Sequence, residues 1–294
     1  MRIAIVGMGA VGTAIAYRLT LHGGHEVTAV ARNKRLEQLS RDDGHVTDAS
    51  APMQPVKLAR VLPRLPVNQV FDLIMVTVLD HQVDDALLAT LRASKAAKIM
   101  FMFNTVRPLA MYENAVGAER FEFGFPVIQA RIDASGVLTH SIIRAGGWPV
   151  TSAALMNELR KVGLPVRVEK RMQSWQRAHA AFAAPFLGLA YRAKHVNGGK
   201  VAWADARDFA RALDEGFRFF RALGEDTVPW PVALLGRSTV ATTALFWLLG
   251  KTSVIVDAAT YGTVESRALI DAMVELAGGD RGKLPALLAM RPSG

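Results

Sequence analysis

The chain has 294 residues, of which 51% are hydrophobic and 21% charged, a composition typical of a globular protein with one large or two ordinary domains. It contains no cysteine, which excludes disulfides, thiolate nucleophiles and cysteine metal sites and agrees with a reducing cytoplasm. The net charge of +9 comes from dispersed Lys and Arg residues. We therefore expect an anionic small-molecule substrate and no nucleic acid partner.

The hydrophobic pattern argues against a membrane protein. No apolar run approaches the ~18 residues that a membrane-spanning helix needs; residues 241–249 are among the longest. A predicted strand begins at residue 2, so we expect no secretory signal. These features predict a cytoplasmic protein without a membrane partner. They leave the oligomeric state open between a monomer and a homodimer.

A glycine motif lies between the first two predicted strands, residues 2–6 and 26–31, and opens a predicted helix over residues 10–21. The motif is a complete G-x-G-x-x-G, formed by Gly7, Met8, Gly9, Ala10, Val11 and Gly12. In such a β-α-β unit the glycines permit the turn, the approach of a pyrophosphate and close helix packing, while the helix N-terminus attracts the phosphates. The six residues are therefore predicted to bind a dinucleotide.

The end of the second strand predicts which dinucleotide. An NAD site usually has a carboxylate about 20 residues after the glycines, for the ribose 2′-hydroxyl. This chain has Arg32, Asn33, Lys34 and Arg35 there instead. Arg32 and Lys34 suit a 2′-phosphate, with Arg32 able to form a forked contact. We therefore predict NADP(H) as the cofactor; the alternative is a solvated basic turn.

The following segments continue an α/β pattern. Residues 71–78 and 99–103 are uniformly apolar runs, typical of parallel strands covered on both faces, and a helix is predicted over residues 81–91. Because ligands bind beyond the carboxyl ends of such strands, residues 79–82 and 104–108 are expected to line the cleft. Short strands are predicted within residues 42–66 and 120–144, a helix over 148–162 and a strand over 165–168.

From about residue 170 the pattern becomes helical. Apolar residues recur at helical spacing over residues 172–192, 201–223, 231–249 and 264–276. The predicted fold is therefore α/β: an N-terminal Rossmann-type doubly wound sheet followed by an all-α C-terminal domain. The predicted domains are residues 1–169, which bind NADP, and 170–294, which bind substrate.

Five features taken in order resemble the ketopantoate reductase (2-dehydropantoate 2-reductase) family. They are the N-terminal glycine motif with Arg32, the strand leading to Gln82, Asn104 at a strand end, Trp175 opening the second domain, and Asn197 before a glycine. The resemblance implies an NADPH-dependent reductase in which Gln82 contacts the cofactor. It also implies that Asn104 lies beneath the nicotinamide and that Asn197 contacts the substrate.

The chain departs from the family at the position of the proton donor. The family has a Lys two residues after the Trp, whereas this chain has Arg177, or Gln176 if the alignment shifts by one residue. The family also has a late Glu shortly before a glycine. In residues 254–262 the only acid is Asp257, and Tyr261 is the other polar candidate.

Two side chains are candidates for the missing chemistry. Hydride addition to a ketone leaves an alkoxide that needs a proton donor or a positive charge. Arg177 could polarise the carbonyl or bind a substrate carboxylate, and His179 could donate a proton. The alternatives are a solvated arginine and a histidine packed with Trp175 and Phe182 on one helix face. No histidine pattern predicts a metal site.

We therefore expect an NADPH-dependent oxidoreductase that transfers hydride to the carbonyl of a small 2-oxo acid or a related ketone or imine. One alternative is an authentic 2-dehydropantoate 2-reductase with a substituted proton donor. Another is a non-catalytic NADP(H)-binding or sensor protein, since the lysine of the family is missing.

Overall fold

The protein divides into two compact units. The structure, a computed structural model, describes residues 1–144, 146–228, 230–258 and 262–293, with the backbone alone for Trp230, Pro231 and Asp257. The first unit contains Met1–Phe103 and Leu109–Met172, and the second contains Asn104–Pro108 and Gln173–Gly294. The short segment Asn104–Pro108 thus belongs with the second unit, which the sequence did not predict. The predicted domain limits themselves remain a prediction.

The first unit contains strands and helices in alternation. Its strands are β1 (Arg2–Val6), β2 (Glu26–Val30), β3 (His45–Val46), β4 (Val56–Lys57), β5 (Arg60–Leu62), β6 (Val70–Val76), β7 (Lys95–Met102), β8 (Phe121–Gly124), β9 (Ile128–Ile132), β10 (Leu138–Ile142), β11 (Trp148–Val150) and β12 (Val166–Val168). Its helices are α1 (Ala10–Gly23), α2 (Asn33–Arg41), α3 (Asp85–Ala93), α4 (Leu109–Val116) and α5 (Met156–Lys161), with a 3-10 turn at Asp80–Gln82.

Eight strands form one sheet in the order β12-β11-β8-β7-β6-β1-β2-β5. The six strands β8, β7, β6, β1, β2 and β5, neighbours in this order, are mutually parallel. Strand β11 pairs with β8 in the antiparallel sense. The central strands are buried along most of their length, with Ile5, Ile74 and Met75 inaccessible to solvent. The order reverses beside β1, which places a crevice at the carboxyl ends of β1 and its neighbours. The predicted Rossmann-type sheet is confirmed.

The helix predicted over residues 148–162 is wrong in its first part. Trp148–Val150 is strand β11, and only Met156–Lys161 is helical. All three strand residues are buried, and the Trp148 indole N–H donates to the Val127 carbonyl oxygen over 2.9 Å. Pairing with β12 and β8 buries this short apolar run more completely than a surface helix would, so tertiary context overrides the helical spacing.

The second unit is helical. Its helices are α6 (Met172–His195), α7 (Trp203–Ala222), α8 (Trp230–Leu235), α9 (Thr239–Leu249), α10 (Ser253–Ala258), α11 (Thr263–Leu276) and α12 (Pro285–Ala289), with a 3-10 turn at Arg281–Lys283. The predicted helix over 231–249 is two helices, because Ser238 accepts a hydrogen bond from the Ala241 backbone N–H and starts α9 anew. The predicted helical second part is confirmed. Within the described residues, no helix combines the length and the apolarity needed to cross a membrane.

Candidate functional site: a dinucleotide cleft and a buried polar cluster

The glycine loop has three glycines in three different environments. Gly7 leaves β1 with a φ of 106°, a conformation that other residues rarely adopt. A Cβ on Gly12 would lie 2.0 Å from the Gly7 carbonyl oxygen, so this glycine permits the close contact between helix and loop. A Cβ on Gly9 would meet no protein atom within 4 Å. The protein leaves open space at Gly9, where a pyrophosphate would approach the backbone.

The start of α1 is suited to an anion. Gly9 is the N-cap and provides no side-chain cap, and the first turn carries no acidic residue. The first N–H groups of the helix and its positive dipole end therefore have no negative side chain beside them. Phosphate oxygens are the groups that such a helix start binds best.

A cleft of about 1170 Å³ lies along this loop within the first unit. Six of the residues predicted to bind cofactor line it: Gly7, Met8, Gly9, Arg32, Lys34 and Gln82. Three others, Ala10, Val11 and Gly12, form the first residues of α1. The Gln82 Oε1 accepts a hydrogen bond from the Leu79 backbone N–H over 3.1 Å, which holds the side chain on the cleft-side turn.

The basic residues after β2 fall into two groups. Arg35 turns inward: its Nε donates to the Met8 carbonyl oxygen over 3.1 Å and its Nη2 donates to Thr13 Oγ1 over 3.2 Å. Arg32 and Lys34 are exposed, and neither side chain forms a hydrogen bond or ion pair with another residue of the described ranges. Arg35 therefore braces the glycine loop, and the other two cations remain available to an anion in the cleft.

The carboxylates that line the cleft are engaged by their own turns. Asp84 Oδ1 accepts from the Leu87 backbone N–H over 2.8 Å and caps α3. Asp133 Oδ1 accepts from the Ser135 and Val137 backbone N–H groups, each over 2.9 Å. Hydrogen bonding, first from the Ser135 hydroxyl, lowers the pKa of Asp133, so it stays an acceptor and provides no donor.

In the second unit, Asn104 meets a carboxyl group that the sequence analysis did not find. The Asn104 Nδ2 donates to Glu265 Oε1 over 2.5 Å. Burial raises the pKa of Glu265 above that of an ordinary glutamate, against the opposing effect of the hydrogen bond from Asn104. The family resemblance predicts a late Glu before Gly262, whereas Glu265 lies after it, in the first turn of α11. An acidic residue in the first turn of a helix was the only local signal.

Arg177 is buried, and its guanidinium group is hydrogen-bonded within the protein. Its Nη1 donates to Glu225 Oε1 over 2.6 Å, and its Nε donates to the Val106 carbonyl oxygen over 3.1 Å. The Ser174 hydroxyl also donates to Glu225. The predicted alternative of a solvated arginine is therefore wrong, while the catalytic and substrate-binding role of Arg177 stays a prediction.

His179 stacks on Trp175 with ring centroids 4.9 Å apart. Burial lowers its pKa to about 4, so the imidazole is neutral near pH 7. A neutral imidazole is a poor match for the predicted proton donor. One turn earlier, Gln176 is fully buried, and neither its Oε1 nor its Nε2 has a hydrogen-bond partner among the described residues. Buried amides of this kind call for a polar ligand or water.

The remaining candidates are placed as follows. The Asn197 Nδ2 donates to Asp205 Oδ2 over 2.5 Å and closes the turn after α6; its substrate contact stays a prediction. Tyr261 and the side chain of Asp257 lie outside the described residues. The part of the chain that the structure describes holds no group of three His, Cys, Asp or Glu residues suited to a metal ion.

The sheet, the glycine loop and the cleft define the class as a Rossmann-type α/β protein with a helical second unit. Within that class the resemblance seen in the sequence is confirmed. Residues 3–147 match the family described as Ketopantoate reductase PanE/ApbA. Over these residues the chain is similar to that family, whose named enzymes are oxidoreductases.

Solved structures of similar fold cover nearly the whole chain. A probable 2-dehydropantoate 2-reductase from Bacillus subtilis aligns with a TM-score of 0.66 at 18% identity, covering 99% of each chain. D-mandelate dehydrogenase in complex with NADH aligns with a TM-score of 0.70 at 17% identity, covering 99% of this chain and 97% of that one. A PanE/ApbA family ketopantoate reductase from Ralstonia eutropha JMP134 aligns with a TM-score of 0.70 at 17% identity, covering 99% of this chain and 96% of that one. No curated protein sequence matches significantly.

The glycine environments predict a separation of stability from binding. Gly12→Ala places a Cβ against the Gly7 carbonyl oxygen and Thr77 Oγ1, so we expect a loss of about 1–3 kcal/mol in unfolding free energy. Gly9→Ala enters open space and should change stability by less than about 1 kcal/mol while weakening dinucleotide binding. Thermal unfolding and NADPH titration of both variants measure this. Equal destabilisation by the two variants would contradict it.

Proposed function

We propose that the chain is an NADP(H)-dependent oxidoreductase that transfers hydride to the carbonyl of a small 2-oxo acid or a related ketone or imine. The observation that carries the proposal is the cleft at the glycine loop, with Arg32 and Lys34 exposed at its ribose end and its carboxylates engaged elsewhere. The family resemblance supports the reaction class.

The residues present fit a dinucleotide. The open space at Gly9 admits a pyrophosphate, and the uncapped start of α1 offers N–H groups to its oxygens. Arg32 offers a planar fork and Lys34 a point charge to a 2′-phosphate. Bound NADPH would supply the hydride.

For the proton we propose Glu265. An alkoxide formed on the substrate needs a donor, and an arginine paired with a carboxylate does not readily release a proton. A buried carboxyl whose pKa is raised retains its proton at higher pH than an exposed glutamate does. Asn104 holds that carboxyl from one side, and its own buried Oδ1 has no partner among the described residues. Asn104 and Gln176 are then proposed to contact the polar groups of the substrate.

Two alternative functions use the same proposed cofactor site. An authentic 2-dehydropantoate 2-reductase would use the same cofactor site with a carboxyl proton donor. A non-catalytic NADP(H) sensor is favoured by one observation, the ion pair of Arg177 with Glu225 where the family has its proton-donating lysine. Both share the proposed cofactor. The authentic reductase differs from the first proposal in its substrate, and the sensor differs in having no turnover.

The direct test is oxidation of NADPH, followed by its absorbance, with ketopantoate and a panel of 2-oxo acids, ketones and imines. We expect consumption of NADPH with at least one member and binding detected by thermal shift in the same sample. Turnover of ketopantoate alone would favour the authentic reductase. Binding without any turnover would favour the sensor, and no binding would refute the proposal.

Arg32 should decide the choice of cofactor. Arg32→Gln removes a charged hydrogen-bond donor from the proposed phosphate site, so the dissociation constant for NADPH should rise about tenfold or more while that for NADH changes little. Fluorescence titration with both nucleotides measures this. The claim fails if wild-type protein binds NADH better than NADPH, or if the variant keeps its NADPH affinity.

Glu265 should decide the pH dependence. A general acid works while protonated, so the rate should fall as pH rises through the raised pKa of Glu265. Glu265→Gln keeps the shape and the hydrogen bond from Asn104 but cannot release a proton. We expect kcat to drop about 10²-fold and the descending limb assigned to Glu265 to disappear from the pH profile.

The matched control is Glu275→Gln, an exposed acid on the same helix α11. It should leave kcat and the pH profile unchanged. Above the raised pKa, Glu265→Gln should unfold at a higher temperature than wild type, because the wild-type carboxyl must then ionise in a buried site. An unchanged pH profile in Glu265→Gln would remove this residue from the proton step.

A further inference from the structure

Arg64 lies on the same cleft as the glycine loop, and the sequence analysis gave it no role. We propose that Arg64 is a second ligand of the 2′-phosphate of NADP(H), acting beside Arg32 and setting the preference over NADH. This inference rests on the proposed function and adds to it a residue from the loop after β5.

The register of β2 and β5 brings the segments that carry Arg32 and Arg64 to the same end of two adjacent strands. The parallel strands β2 and β5 pair with Val30 opposite Leu62, and the Ala31 backbone N–H donates to the Leu62 carbonyl oxygen over 3.0 Å. Arg32 and Arg64 each follow a member of that pair by two residues. Neighbouring strands are about 4.8 Å apart, so both arginines follow adjacent strands at the same edge of the sheet.

The backbone around Arg64 is restrained. Arg64 lies between Pro63 and the buried Leu65, which is followed by Pro66. Proline fixes its own φ and biases the preceding residue towards extended conformations. The buried side chain of Leu65 anchors the segment in the hydrophobic interior. Arg64 is thus an exposed side chain presented from a stiff loop, so little backbone freedom is lost when it binds an anion.

The charge of Arg64 is not compensated within the cleft. Arg64 forms no hydrogen bond or ion pair with another residue in the described part of the chain. The two acids of the cleft, Asp84 and Asp133, are bound to the turns at which they lie. Arg35 is held by the Met8 carbonyl oxygen and is not available.

The chemistry selects a phosphate over a hydroxyl. A ribose 2′-hydroxyl is satisfied by one carboxylate acceptor, as in NAD sites. Two guanidinium groups that follow adjacent strands offer only donors, which suit the several oxygens and the negative charge of a phosphate. Arg64 therefore belongs to the group that favours NADP(H), together with Arg32 from the neighbouring strand.

The test compares Arg64→Gln with a control four residues earlier, at the start of β5. Arg60 is exposed at the opposite end of β5 and does not line the cleft, so Arg60→Gln removes the same charge at a distance from the site. NADPH and NADH are titrated by fluorescence at one fixed ionic strength into wild type, both variants, Arg64→Lys and Arg32→Gln.

For Arg64→Gln we expect a rise of about tenfold in the dissociation constant for NADPH and less than about twofold for NADH. Arg60→Gln should change either constant by less than about twofold. Arg64→Lys should retain part of the affinity, since it keeps the charge and loses the fork.

Equal effects of Arg64→Gln and Arg60→Gln on NADPH would overturn the inference, because general electrostatics would then explain both. If wild type prefers NADPH and only Arg32→Gln loses that preference, the role of Arg64 fails and the proposed function stands. If wild type binds neither nucleotide, or prefers NADH, the proposed function fails as well.

Discussion

The contact between the start of α1 and the end of β1 is the constraint on which the first unit depends. Gly12 packs against the Gly7 carbonyl oxygen at a distance that no other residue permits, and Thr77 Oγ1 donates to that same oxygen over 2.6 Å. This contact fixes the start of α1 close to the carboxyl end of β1. The open backbone at Gly9, the positive end of the helix and the position of the cleft all follow from it.

Around this contact, the protein uses its charged side chains in two ways. Arg35 has its guanidinium turned into the fold, where it ties the glycine loop to α2. Asp84 accepts a hydrogen bond as a helix cap, and Asp133 accepts hydrogen bonds within its own turn. What remains facing the cleft is positive charge without a matching carboxylate. Such a surface attracts anionic ligands and discriminates among them by how many donors they can accept.

Among the described residues of the second unit, Glu225 and Glu265 are half-buried carboxyl groups with opposite surroundings. Glu225 accepts hydrogen bonds from Arg177 and Ser174, so its negative charge is compensated. Glu265 has only the neutral amide of Asn104 beside it among the described residues, and burial raises its pKa. Because a buried charge requires a partner, the first pair is ionic and the second favours a neutral acid. The structure therefore separates a structural ion pair from a group able to release a proton.

The sequence by itself determined what is local in the chain: the strand, the glycine motif, the helix and the basic turn with Arg32 follow one another within one β-α-β unit. Its helical spacing misled at Trp148, where sheet pairing distant in sequence decides the conformation. Only the tertiary structure joined Asn104 to Glu265 and placed Arg64 on the same cleft as Arg32. These partners lie on different elements, and strand register and buried packing, rather than any sequence motif, bring them together.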